Sequence, residues 1–166
     1  GIENNKPDAI EIMTALAAEE NGFAVQPLKV QYPQGGEKQL IKAALGREVP
    51  SGGLPIDVGV VVHNVGTAFA VYEAIQKNKP LVERVVTVTG KDVKKPSNLL
   101  VRIGTPVGDL IEAVGGIPEN TGKVISGGPM MGKALNSVDV PIAKGTSGSL
   151  LLHNEEAKRG KVKACI

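Results

Sequence analysis

The chain has 166 residues and a formal net charge of +2, and only 2% of its residues are aromatic, with no tryptophan. Proteins that bind single-stranded nucleic acid stack bases on aromatic rings along a basic groove, and this composition offers neither feature. No apolar run approaches the roughly 18 residues of a membrane-spanning helix, so the composition indicates one packed domain or two small ones.

The first residues, GIENNKPDAIEI, are typical of a strand end that leads into a helix, and they lack an initiator methionine. We therefore expect the sequence to be a piece of a longer chain. Asn5 is the predicted N-cap, Pro7 lies in the first turn, and Gly22 ends the helix. The predicted apolar face consists of Ile10, Met13, Leu16 and Ala17.

Two further helices flank an apolar run. One is predicted from Gly36 to Leu45, closed by Gly46, and another at about Gly66 to Gln76. Between them, Val58 to Val62 shows no polar alternation, which is typical of a strand buried on both faces. The alternation of helices and strands predicts a layered α/β domain with parallel strands. Candidate core or boundary residues of the third helix are Phe69, Val71, Tyr72 and Ile75.

After Pro80 the pattern changes. ERVVTVTG alternates with period two, and NLLVRIG follows a turn rich in lysine and proline. Thr105 and Pro106 then start a short helix, KVISGG is another strand, and VPIAKGTSGSLLLHNEE supplies one or two more. Two strands, a helix and a third strand within about 45 residues predict a small α+β unit of β-grasp type.

Two segments are candidates for ligand binding. Gly35 and Gly36 stand directly before Glu37, and they make either an ordinary turn with an acid at the helix dipole or a bare backbone against which a cofactor lies. VVVHNVGT joins the predicted strand to a helix N-terminus, the corner at which open α/β sheets bind ligands. Asn64 in that corner is also interpretable as a helix cap, and His63 has no visible catalytic partner.

Two other motifs carry weaker signals. GGPMMGKA resembles a phosphate loop, but Ala134 stands where Ser or Thr would hold magnesium and Pro129 is a poor anion ligand, so we predict no nucleotide site there. Cys165 is the single cysteine, which excludes an internal disulfide and indicates a reducing compartment. It would be an iron–sulfur ligand only if more cysteines followed it at two-residue spacings.

Long literal strings carry a family resemblance. YPQGGEKQLIKAALGREVPSGGLPIDVGVVVHNVGTAFAVYEAI, ERVVTVTG, LLVRIGTPV, GKVISGGPMMG and KGTSG closely resemble, in order, the C subunit of the Rnf electron-transport complex. More distantly, the chain resembles the flavin-binding subunit of respiratory complex I. The resemblance implies the C-terminal part of a Rossmann-like flavin and NADH domain at 1–82. A small β-grasp (soluble-ligand-binding, SLBB) domain at 83–135 would follow, and then a β-rich extension at 136–166 toward an iron–sulfur domain.

The resemblance also implies a function. Members of that family hold FMN and two [4Fe–4S] clusters, and move electrons between NADH and ferredoxin within an ion-translocating complex. With its partner subunits, such a protein lies on the cytoplasmic face of the bacterial inner membrane, without a membrane span of its own. The glycine loop that grips FMN is expected before residue 1, so the piece alone is expected to be inactive and to bind no cofactor. The alternatives are a cobalamin reductase of similar architecture and a non-catalytic scaffold.

Site residues follow from the same resemblance. A Tyr-x-x-Gly-Glu-Glu segment lies beside the flavin in the complex I relatives, with Gly here in place of the first acid; its counterparts are Tyr32, Gly35, Gly36 and Glu37. A later Val-Asn-Asn-Val-Glu-Thr segment also touches the flavin, with departures at His63 and Gly66; its counterparts are Val62, His63, Asn64 and Thr67. Cys165 would be the first cluster ligand, and no residue is assigned as catalytic.

Overall fold

The computed structural model describes residues 1–158, which form two compact units, Gly1–Asn64 and a second unit that begins at Val65. The elements of the first unit are β1 (Ile2–Glu3), α1 (Pro7–Glu19), β2 (Pro27–Leu28), α2 (Glu37–Leu45) and a 3₁₀ turn at Pro55–Val58. β1 and β2 pair in parallel. A helix that connects two parallel strands is the βαβ arrangement of a layered α/β domain, as predicted.

The glycine signals give the ends of α2, whereas α1 ends at Glu19, before the predicted end at Gly22. α2 begins directly after Gly36 and ends at Gly46, whose φ of 70° is left-handed and whose N–H donates to the Lys42 carbonyl at 3.0 Å. The predicted span of α2 is therefore confirmed. The prediction that Asn5 caps α1 is wrong, because Lys6 occupies the N-cap position and the Asn5 side chain instead accepts a hydrogen bond from Lys6 Nζ.

The predicted buried strand from Val58 to Val62 does not form. The 3₁₀ turn ends at Gly59, which has a φ of 69°, and the segment that follows has no regular structure. The Asp57 carboxylate accepts the Leu54 N–H at 2.8 Å, and Arg47 donates to the Val58 carbonyl at 2.7 Å. These local bonds fold the start of the run into a turn, and Val61 is 66% exposed.

The second unit contains one five-stranded sheet and two helices within the described residues. Its elements are α3 (Val65–Gln76), β3 (Glu83–Gly90), β4 (Ser97–Arg102), α4 (Val107–Ala113), β5 (Thr121–Ser126), β6 (Lys133–Ala134) and β7 (Gly148–His153). The strand order is β4-β3-β7-β5-β6, with β3 and β7 parallel and the other neighbours antiparallel. This is the mixed sheet of the predicted β-grasp unit. The sequence did not predict the short strand β6.

One face of this sheet packs against α4. Val86 and Val88 alternate with exposed residues along β3, and Val107, Leu110 and Ile111 are buried along α4. Because side chains alternate across a strand and recur every three to four residues on a helix, the two apolar faces meet. The buried cluster consists of Val86, Val88, Val93, Val101, Val107, Leu110, Ile111, Val114, Ile142 and Leu151.

Helix α3 contributes nothing to that core. None of its residues is buried, so the prediction of core or boundary positions on it is wrong for the four apolar residues named, which are all exposed: Phe69, Val71, Tyr72 and Ile75. The rings of Phe69 and Tyr72 lie 5.8 Å apart, with Lys77 Nζ 5.3 Å from the tyrosine ring centre. Periodicity identifies residues that share a helix face, but it does not show whether another element covers that face.

An ion-pair network joins the end of α3 to the start of β3. Lys79 Nζ lies 3.2 Å from the Glu73 carboxylate and 2.7 Å from that of Glu83. The hydrogen bonds that Lys79 donates to Glu83 and to Glu73 raise the pKa of Lys79, and the bond to Glu83 lowers the pKa of that carboxyl. A carboxyl whose pKa is lowered on folding stabilises the fold above its unfolded pKa, and this contribution is lost as the pH falls.

We therefore expect Glu83→Gln to lower the melting temperature at pH 7 by roughly 1–4 °C, since an exposed pair contributes little. The difference from wild type should shrink below about pH 4.5, because Glu83 in the wild type is then becoming protonated. Thermal unfolding between pH 3 and 7 measures both effects, with the exposed Glu119→Gln as the control. A difference that is the same at every pH would contradict the network.

Candidate functional site

The turn before α2 exposes bare backbone at a helix N-terminus. The Gln34 N–H donates to the Gln31 carbonyl and the Gly36 N–H to the Pro33 carbonyl, both at 2.7 Å, so the chain makes two successive turns. Gly36 is the N-cap residue, and no side chain of the described residues caps the helix. The first-turn N–H groups of α2 therefore have no side-chain acceptor at the N-cap, and a helix N-terminus of this kind can bind anions and polar edges.

The two glycines of this turn differ in their surroundings. A Cβ added at Gly35 would meet no atom within 4 Å, whereas one at Gly36 would lie 3.0 Å from the Pro33 carbonyl and crowd the Gln39 side chain. Gly35 therefore leaves open surface, whereas the turn leaves little room for a side chain at Gly36. This crowding gives a physical reason for glycine at position 36, where the resemblance would place an acid.

A second glycine turn lies beside the first turn of α2, and local sequence did not reveal this. Lys38 Nζ donates to the Pro50 carbonyl at 3.2 Å, and the same carbonyl accepts the Gly53 N–H at 3.0 Å. Gly52 in that turn has a φ of 75°. Lys38 thus adds a cation to the site, but a lysine in a first helical turn is ordinarily a solvated residue, so no signal in the sequence singled it out.

The predicted site residues lie on three segments. Tyr32, Gly35, Gly36 and Glu37 are brought together by the turn, with Tyr32 62% exposed and Glu37 also exposed. Val62, His63 and Asn64 lie on the irregular segment after the 3₁₀ turn, in the same unit, whereas Thr67 lies on α3 in the second unit. That all eight residues form one wall remains a prediction.

The first group has the chemistry that FMN requires. A flavin presents a flat ring with a polar edge and a phosphate, and the protein must supply backbone donors, cationic charge and a surface for the ring. The open backbone at Gly35, the N-terminus of α2, Lys38 and the exposed Tyr32 ring supply these features, so the residues fit one side of the cofactor.

Iron–sulfur ligation cannot be compared in the same way, because Cys165 lies outside the described residues. Within 1–158, no group of three or more His, Cys, Asp or Glu side chains could hold a metal ion. That same stretch contains no helix with the length and apolar character needed to cross a bilayer.

Comparison with known proteins gives two domain families and a set of close relatives. Residues 1–73 match the Nuo51 FMN-binding domain and residues 85–134 match the SLBB domain. The chain is 52% identical over its full length to the C subunit of a proton-translocating ferredoxin:NAD(+) oxidoreductase complex from Clostridium ljungdahlii. It is 48% identical over its full length to the C subunit of a Na(+)-translocating ferredoxin:NAD(+) oxidoreductase complex from Acetobacterium woodii.

A third relative is the C subunit of an ion-translocating oxidoreductase complex from Rhodobacter capsulatus, 45% identical over 99% of this chain. The chain spans about a third of the length of these relatives, namely 36%, 38% and 32%. The two domain families occur in the order that the fold shows. The flavin-binding match covers the first unit and most of α3, and the SLBB match covers β3 to β6.

Proposed function

The chain belongs to the family of C subunits of ion-translocating ferredoxin:NAD(+) oxidoreductase complexes, and from this we propose that the intact protein binds FMN against the turn that leads into α2. When bound, FMN supplies the chemistry that accepts a hydride and releases single electrons. The observation that carries the proposal is the uncapped N-terminus of α2 behind Gly35 and Gly36, with Lys38 beside it.

Each residue of the turn has a proposed role. The first-turn N–H groups of α2 donate to the polar edge of the flavin and so favour its reduced, more anionic states. Tyr32 covers part of one ring face, and Glu37 positions the nicotinamide of NADH. Val62, His63, Asn64 and Thr67 are proposed as further flavin contacts on the strength of the family resemblance, with the Asn64 amide as a donor.

The remainder of the proposal concerns the whole complex. Two [4Fe–4S] clusters, of which Cys165 would hold one, would supply one-electron transfer between the flavin and ferredoxin, with the help of partner subunits. The protein is peripheral, on the cytoplasmic face of the membrane. Its relatives carry the names of ion-translocating complexes, which favours this function over a cobalamin reductase or a scaffold.

Replacing Glu37 tests the site directly. In the intact complex, Glu37→Ala is expected to lower kcat/KM for NADH about tenfold, the effect of losing one charged contact, while the FMN content stays near that of wild type. Steady-state kinetics and the flavin absorption spectrum measure the two quantities. The exposed Glu19→Ala, on α1, is the control. Unchanged hydride-transfer kinetics would remove Glu37 from the site.

The 166-residue chain by itself is expected to retain little FMN and to oxidise no NADH, because in our proposal its residues contribute only one side of the cofactor pocket. Purified chain mixed with FMN and passed through a desalting column should lose the flavin band. A stoichiometric band would contradict this.

For the intact protein, a visible spectrum before and after NADH under anaerobic conditions should show reduction of both flavin and clusters.

A further inference from the structure

One face of the β-grasp sheet carries no helix from the described part of the second unit. Strand pairing places Val85 opposite Leu100 and Thr87 opposite Asn98, on the side of the sheet away from α4. Val85 is 57% exposed and Leu100 is 67% exposed. We call this side the outer face. Exposed β-branched and leucine side chains next to each other on a sheet are unusual unless another surface covers them.

The outer face contains a small cleft. Its floor is formed by Thr87, Thr89, Gly148 and Leu150, and its wall by the turn that starts at Gly127. Gly148 pairs with Thr87 where β7 begins. As a glycine it has no side chain to fill the space. The cavity measures about 210 Å³, below the roughly 300–1,000 Å³ of small-molecule sites. The cleft therefore suits one inserted side chain better than a cofactor.

The turn that forms the wall adds exposed methionines. Gly127 has a φ of 106°, and the Gly132 N–H donates to the Gly128 carbonyl at 2.9 Å. The turn covers Ile125, which is buried on the outer face. It leads into β6, whereas a phosphate loop would lead into a helix. Met130 and Met131 are 67% and 84% exposed at its tip. Methionine is common on surfaces that adapt to a protein partner.

The strands place more positive than negative charge on the outer face. Alternation along β4 and β5 puts Arg102 and Lys123 there. Glu83 is the acid that β3 places on this face, and Lys79 Nζ lies 2.7 Å from its carboxylate. Arg84 lies on the opposite side of β3, toward α4. The charges free to meet a partner on the outer face are therefore cationic.

We propose that the outer face is a docking surface for an acidic protein segment of another subunit, which inserts one aliphatic or aromatic side chain into the cleft. The apolar cleft supplies the central anchor site, and Arg102 and Lys123, which lie on the outer face, supply the rim that meets carboxylates. The proposal rests on the proposed function only in that the intact protein works within a complex, and it is independent of the flavin site.

Site-specific photo-crosslinking in the assembled complex tests this surface. Benzoyl-phenylalanine at Val85 or Leu100 should crosslink to a segment with an excess of Asp and Glu around one large apolar residue, identified by mass spectrometry. The same probe at Glu112, on α4, should not capture that segment. The double variant Arg102→Glu, Lys123→Glu should reduce the yield roughly tenfold, and Arg102→Lys with Lys123→Arg should restore most of it.

Several results would overturn the docking surface. The crosslinking yields at Val85 and Leu100 could be no higher than the yield at Glu112, or the charge reversal could leave the yield unchanged. The captured segment could also be basic or wholly polar, or it could belong to a second copy of this chain. FMN content and NADH oxidation are measured in the same preparations. Loss of the crosslink with intact NADH oxidation would count against the docking surface alone, and a complex that lacks flavin but keeps the crosslink would count against the proposed function alone.

Discussion

Ile111→Ala is expected to lower the free energy of unfolding of the second unit by about 2–5 kcal/mol. Ile111 is fully buried on α4 and belongs to the cluster that joins this helix to the sheet. Removing its side chain deletes apolar contacts and leaves a cavity that the surrounding strands fill only in part. α4 has only seven residues, too few for a stable isolated helix, so its folding depends on this contact.

Urea unfolding followed by circular dichroism measures the loss, which should lower the midpoint while the slope changes little. Ile117→Ala is the matched control, because Ile117 is 53% exposed and surface substitutions usually change stability by less than about 0.5 kcal/mol. Equal effects of the two substitutions would show that α4 does not pack on the sheet as described.

Gly90→Ala is expected to destabilise the same unit by about 2–3 kcal/mol through overpacking. Gly90 pairs with Leu151 across the parallel β3–β7 ladder, and an added Cβ would overlap the Leu151 carbonyl oxygen and lie 3.1 Å from its Cβ. The obstacle is backbone, which cannot move without separating β3 from β7, two inner strands of the sheet. The strain therefore falls on the pairing that holds the β-grasp unit together.

The control for this substitution is Gly145→Ala, because a Cβ there would meet nothing within 4 Å. It should be neutral or slightly stabilising, since alanine restricts the unfolded chain. Thermal unfolding of both variants measures the difference. A Gly90→Ala protein as stable as wild type would mean that β7 does not approach β3 at this point.

The sequence determined the elements whose signals are local. Period-two alternation in ERVVTVTG predicted β3 at its observed bounds. Gly46 ended α2 where predicted, because glycine readily adopts the positive φ of a helix end. The order of the elements and the literal strings also determined the fold class and the family. For the site, the glycine pair before Glu37 predicted the start of α2, which the structure shows, but it left open whether a cofactor lies against that backbone.

Only the tertiary structure decided what depends on contacts between distant residues. Val58 to Val62 has the composition of a buried strand, but bonds from Arg47 and Asp57 fold its start into a turn. Lys38 reaches the second glycine turn only because the chain between them folds back. The apolar residues of α3 and of the outer face look like core in a linear pattern, yet they are exposed. A sequence period fixes which side chains share a face, whereas burial depends on whether another surface packs against that face, and that is set by the fold as a whole.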